Sequence, residues 1–98
     1  MSQDKARRKQ LREAHKAAER DRRIALCPLT EQELADLVAD LEAAVELHGC
    51  DHSTRFAEVW AAAHGRDWAD LDEGLAELGG YCDCEISVNC DPDTVFGR

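Results

Sequence analysis

The chain has 98 residues, 44% hydrophobic and 34% charged, with a net charge of −9. That length suits one domain, and no apolar run approaches the ~18 residues needed to span a membrane. The amino terminus MSQDKARRKQ carries positive charge with no apolar stretch behind it, so a secretory signal is not expected, and the chain reads as cytoplasmic with its five cysteines reduced.

Residues 5–26 favour helix by propensity, with Ala, Arg, Lys, Glu and Leu and no Gly or Pro. Residues 1–23 hold nine Lys/Arg against four acids, a charge of +5, whereas residues 24–98 sum to −14. A basic arm on an acidic body points to a polyanionic partner for the arm. Asp4/Arg8, Lys9/Glu13 and Glu19/Arg23 are spaced to pair at i,i+4. The apolar stripe is only Leu11, Ala14 and Ala18, so the helix is expected to project or to lie along a partner. Cys27-Pro28 ends it.

Thr30 and Glu33 form a capping box, with Leu29 and Leu34 at staple positions. Behind them Leu34, Leu37, Val38, Leu41 and Val45 share one helical face, and Gly49 closes the helix. In CDHSTRFAEVWAAAH, Asp51 or Ser53 is a candidate cap, and Phe56, Val59, Trp60 and Ala63 form the expected inner face. Asp67 then caps a fourth helix with Trp68, Leu71, Leu75 and Leu78 inward, ending at Gly79-Gly80. From Tyr81 to Val88 polar and apolar residues alternate, which predicts a short strand. The tail from Asn89 is expected to be loose. The fold expected is mainly α: a basic helical arm over 1–27, a compact zinc-binding helical domain over 28–90 with a short C-terminal β segment, and a loose tail over 91–98.

Chemistry concentrates in two glycine-led pairs, Cys50/His52 in GCDH and Cys82/Cys84 in GGYCDCE. In a strand, residues two apart face one side, so Cys82 and Cys84 would present both sulfurs together. With Cys50 and His52 they make a three-thiolate, one-imidazole set suited to a closed structural zinc site. The rival readings are thiols packed as small hydrophobes and a redox pair, which lacks a thioredoxin-like context. Cys27 and Cys90 are left out of the set, His48 reads as surface, and His15 and His64 as solvent-facing. Asp51, Asp83 and Glu85 are candidates to accept a hydrogen bond from His52. Trp60 and Trp68 read as core.

GCDHSTRFAEVW followed by GGYCDCEISVN resembles a small bacterial domain family of uncharacterised function, marked by GCDH and GG[YF]CDCE. The arm KARRKQLREAHKAAERDRRIALCPLT resembles the charged helix that precedes these motifs in relatives, so the resemblance spans roughly residues 5–90. It implies Cys50, His52, Cys82 and Cys84 as shared positions, excludes Cys27 and Cys90, and implies no activity.

The function expected is a non-catalytic zinc-binding interaction module. Its arm would contact RNA or the ribosome through Arg8, Arg12, Lys16, Arg20 and Arg23, and zinc occupancy could control folding. The alternative is a zinc-stabilised protein–protein adaptor. Four protein ligands leave no open metal position and no acid–base set stands out, so neither an enzyme nor a small-molecule substrate is expected.

Overall fold

The computed structural model describes residues 2–97, with side chains described from Ala6 onward. Among them are six helices and no strand: α1 Ser2–Leu26, α2 Glu31–His48, α3 Arg55–Ala63, α4 Trp68–Glu77, α5 Asp83–Asn89 and α6 Pro92–Phe96.

Helix α2 starts where its local chemistry directs. The Thr30 hydroxyl accepts the Glu33 amide at 3.2 Å and the Glu33 carboxylate accepts the Thr30 amide at 3.1 Å, satisfying two of the amides a helix start leaves without partners. Leu29 and Leu34 are both buried beneath this box. Glu33 also binds Arg66 in the turn before α4, tying the two helix starts together. Leu34, Leu37, Val38 and Leu41 form the inner face of α2, and α5 packs closely against it. Asp67 caps α4 by accepting the Asp70 amide at 3.2 Å.

The core joins that α2 face to Ala57, Trp60 and Ala61 of α3, Leu71 and Leu75 of α4, Ile86 of α5, Cys90, and Val95 of α6. Trp68 packs against its rim. The face expected for α3 is rotated: Ala57, Trp60 and Ala61 are buried, while Val59 is 68% exposed and Ala63 is also exposed.

The expected C-terminal β segment is corrected to a helix. Residues Asp83–Asn89 form α5, closed by i→i+4 bonds such as Ile86 N–H to Cys82 O at 2.9 Å. The short alternation placed Ile86 correctly inward, but one helical turn can bury the same residue. The loose tail is also corrected. Asp91-Pro92 starts α6, proline suiting the first helical position because no amide is needed there, and Val95 is wholly buried.

Helix α1 is long and thinly anchored. Residues 6–19 are exposed, including Leu11 at 63%, and only from Arg20 onward do side chains become half-buried. It packs against α6 and α4, and the molecule measures 57 Å along its longest axis. Neither Lys9/Glu13 nor Glu19/Arg23 forms an ion pair; Glu19 pairs with His15 instead, at 3.0 Å. The Asp4/Arg8 expectation lies outside the described side chains. No described helix is long and apolar enough to cross a membrane.

The arm's root is held by close backbone approach at Gly74. A Cβ there would sit 2.5 Å from the Pro28 Cδ and 2.9 Å from the Leu26 carbonyl oxygen. Helix propensity alone favours Ala over Gly by ~1 kcal/mol, but this clash involves backbone and a rigid ring. Gly74→Ala should therefore destabilise the protein, by about 1–3 kcal/mol, in chemical denaturation. An unchanged or raised stability would mean that α4 can move away from the arm's root.

Candidate metal centre

The loop between α2 and α3 carries Cys50. Gly49 closes α2 with its amide 2.7 Å from the Val45 carbonyl oxygen. Cys50 follows, half-buried. Asp51 accepts the Ser53 amide at 3.0 Å as well as the Ser53 hydroxyl, and meets the Arg55 Nε at 3.5 Å. It braces its own loop. His52 takes φ +67°, a left-handed conformation in which histidine is enriched among non-glycine residues.

The second segment is the start of α5. Cys82 is the N-cap residue, extended at φ −146° and ψ 170°, and Cys84 lies within the first turn. Their sulfurs are 3.2 Å apart, so they converge as the sequence reading expected, but at a helix start and not on a strand face. Gly80 lets this turn lie flat: a Cβ there would meet the Ile86 Cγ1 at 2.7 Å and the Cys90 Sγ at 2.9 Å.

The two segments meet. The sulfurs of Cys50, Cys82 and Cys84 all lie within 4.8 Å of one another. Tetrahedral thiolate–zinc bonds of ~2.3 Å imply sulfur–sulfur edges of about 3.8 Å, so the spacing fits a metal ion with only small side-chain adjustment. Amides of the first turn of α5 favour the thiolates. The amide of Cys84, and after it that of His52, holds the Cys50 thiol below the usual range. At Cys82 burial dominates and pushes the thiol up to about 12, against the pull of the Glu85 amide. Three soft donors, one poised to ionise and one buried, make a cluster that can hold a metal ion.

His52 is exposed and stands outside the three-sulfur group. Cys27 donates to the Leu29 carbonyl at 3.4 Å, and Cys90 is packed in the core with its thiol facing the Leu75 carbonyl at 3.7 Å. Cys90 lies far from the loose setting expected for it. Of the other histidines, His48 is exposed and stacks on Phe56 at 5.7 Å, while His64 stacks on Trp60 at 4.1 Å and meets Asp36 at 3.4 Å.

The residue that sequence reasoning misjudged is Asp83, between the two thiols. Its side chain is 1% exposed. One carboxylate oxygen accepts the Phe56 amide at 3.1 Å and the other accepts the Ala57 amide at 3.0 Å, while its own amide donates to the Ser53 carbonyl at 2.9 Å. Thr54 at the N-cap of α3 makes no side-chain cap; of the two expected caps, the Ser53 hydroxyl accepts the Arg55 amide at 3.4 Å, whereas Asp51 accepts from Ser53 and not from an amide of α3. Asp83 caps α3 from 26 residues away along the chain. An acid enclosed by two cysteines was the available signal, yet nothing local identifies the helix it serves.

This chain belongs to the family described as a protein of unknown function (DUF2695), whose model matches residues 34–89. That stretch contains Cys50, His52 and the whole Cys82–Cys84 segment. Uncharacterised proteins of Mycobacterium bovis and Mycobacterium tuberculosis are each 46% identical to it over 94 residues, covering 96% of this chain and 95% of theirs. With so few residues left unaligned, the similarity takes in most of α1 as well. No solved structure matches the chain significantly.

The Asp83 cap is open to direct test. Asp83→Asn keeps the shape but removes the charge and one acceptor, and should lower stability by about 1–2 kcal/mol in denaturant titrations. The amides of Phe56 and Ala57 should lose hydrogen-exchange protection ahead of those in α2. Protection that stays uniform would show that α3 is held without Asp83.

Proposed function

We propose that this protein is a non-catalytic, zinc-binding interaction module whose basic helix α1 contacts RNA. The observation that carries the metal half is the convergence of Cys50 with Cys82 and Cys84 from two segments over thirty residues apart. Sulfurs brought together in this way repel as thiolates unless a cation sits among them. His52, two residues from Cys50 and exposed, would complete a tetrahedral set by turning its ring inward. Four protein ligands would then leave no coordination site for water, which supports a structural role for the metal and argues against a catalytic one. Held by α5 and by the loop before α3, the ion would clamp the ends of α2 and α3 to α5, so that its occupancy stabilises the whole domain.

The RNA half is supported by α1. Among the described residues, no Lys or Arg of α1 comes within 4.0 Å of an acidic group. These cations are thus free of direct ion-pair contact with the acidic body. Arg8, Arg12, Lys16, Arg20 and Arg23 recur every three or four residues, a spacing that aligns them along one side over about 22 Å. A row of this kind suits the phosphates of a nucleic-acid backbone. The adaptor reading places an acidic protein surface there instead.

Metal analysis of purified protein should give one zinc per chain. Cys82→Ser should lose it and lower Tm. Cys90→Ser should also lower Tm, since it places a hydroxyl in the core, but should keep full zinc. Loss of zinc from Cys90→Ser, or full retention in Cys82→Ser, would overturn the ligand set. His52→Ala should weaken zinc retention against a competing chelator, and unaltered retention would point to a three-sulfur site.

RNA contact is tested by co-sedimentation with ribosomes and by binding to single-stranded RNA across a salt series. Replacing Arg8, Arg12, Arg20 and Arg23 together by Gln preserves helix propensity. It should flatten the slope of log affinity against log salt by about 3, at ~0.7 per phosphate contact, with zinc unchanged. Failure of the parent protein to bind RNA or ribosomes would leave the adaptor reading.

A further inference from the structure

The basic residues of α1 are not equivalent. Arg7, Arg8, Lys9 and Arg12 are exposed, whereas Arg20 and Arg23 are half-buried near the arm's root. Arg20 and Arg23, with Lys16, line a partly open cavity of about 440 Å³ whose lining also includes Gly97 at the end of α6. Positions 16, 20 and 23 lie on one helical face, and α1 packs against α6. The Nε of Arg23 is buried with no hydrogen-bond partner. A donor left unpaired in that way costs stability, and the same residue lines the cavity.

Glu13 and Glu19 also line the cavity, so the five charged side chains that line it among the described residues sum to +1. Glu19 is already paired with His15 at 3.0 Å. A net single positive charge suits one singly charged anionic group better than a pyrophosphate. Two guanidinium forks offer paired donors to adjacent oxygens of a tetrahedral anion, which ammonium groups do not. Partial burial of both arginines also limits the rotamer freedom lost on binding, an advantage that the exposed distal cations lack.

We propose that this cavity is a phosphate subsite, in which Arg20 and Arg23 grip one phosphodiester of RNA and Lys16 adds to its neutralisation. The source of the phosphate rests on the RNA reading above; the site's preference for a phosphate group does not. The remaining cations of α1 then act as a diffuse field that attracts the strand, and the cavity fixes where it is held.

The test compares two double variants that each remove two charges: Arg20→Gln with Arg23→Gln, and Arg8→Gln with Arg12→Gln. The proximal pair should weaken binding of a single-stranded RNA oligonucleotide at least tenfold more than the distal pair. Inorganic phosphate titrated into the unmodified protein should shift the amide NMR signals of residues 20–23 and Gly97, and the proximal pair should abolish those shifts. Arg23→Lys guards against misfolding, since it keeps the charge: it should weaken phosphate binding with the RNA salt slope unchanged. Equal RNA losses from both pairs, with no phosphate shifts, would overturn the subsite while leaving the RNA reading standing. Phosphate shifts at these residues without any RNA binding would support the subsite and overturn the RNA reading. Neither phosphate shifts nor RNA binding would overturn both.

Discussion

A single buried carboxylate organises the functional end of this molecule. Burying a charged acid is costly unless hydrogen bonds and a favourable field compensate, and Asp83 obtains both from the amino-terminal end of α3. Two amides donate to it, and the positive end of the helix dipole faces its charge. Because Asp83 stands between Cys82 and Cys84, fixing it against α3 also fixes both thiols relative to the loop that leads into α3. Cys50 lies in that loop. The convergence of three sulfurs is therefore coupled to the capping of one short helix, and the Asp83 amide bound to the Ser53 carbonyl closes the same joint from the other side.

This coupling has a chemical reading. The middle residue of the Cys-Asp-Cys segment must be a short carboxylate that reaches two backbone amides. Lengthening the segment by one residue, to the commoner spacing of metal-binding cysteine pairs, would pull either a thiol or the carboxylate out of place. The unusual one-residue spacing thus meets the demands of α3 as well as those of any metal ion the three sulfurs could hold.

What could be read from the sequence divides along the same line. Helix α2 was legible because its start is written within a few consecutive residues: Thr30 and Glu33 bond each other, and Leu29 and Leu34 cover them. Helix α4 was legible through Asp67 for the same reason. Helix α3 was seen, but its inner face was not, because the carboxylate that caps it, Asp83, comes from a distant segment. The segment after Gly80 was misread because alternation over eight residues is compatible with about two helical turns once Ile86 finds the core. Helix α6 did carry a local signal, Asp91 followed by Pro92, although its five residues depend on burying Val95. The meeting of Cys82 with Cys84 was anticipated for a reason that does not hold: the pleat of a strand would have paired them, whereas an extended cap residue followed by a helical turn does so here. The position of His52 outside the sulfur group could not be read from its spacing, since the left-handed turn it occupies redirects its side chain.

The arm's anchorage has a mechanical consequence. Helix α1 is a stiff rod gripped at one end, where Leu26 and Pro28 press against Gly74. Arg8 lies about 27 Å from Leu26 along the axis, at ~1.5 Å per residue. A rotation of only 10° at that grip would carry Arg8 through roughly 5 Å at this helical rise. The aim of the distal charges is thus set by a few contacts of residues that carry no charge, at the opposite end of the helix. Small packing changes at the root would act on the tip as a lever acts on its load.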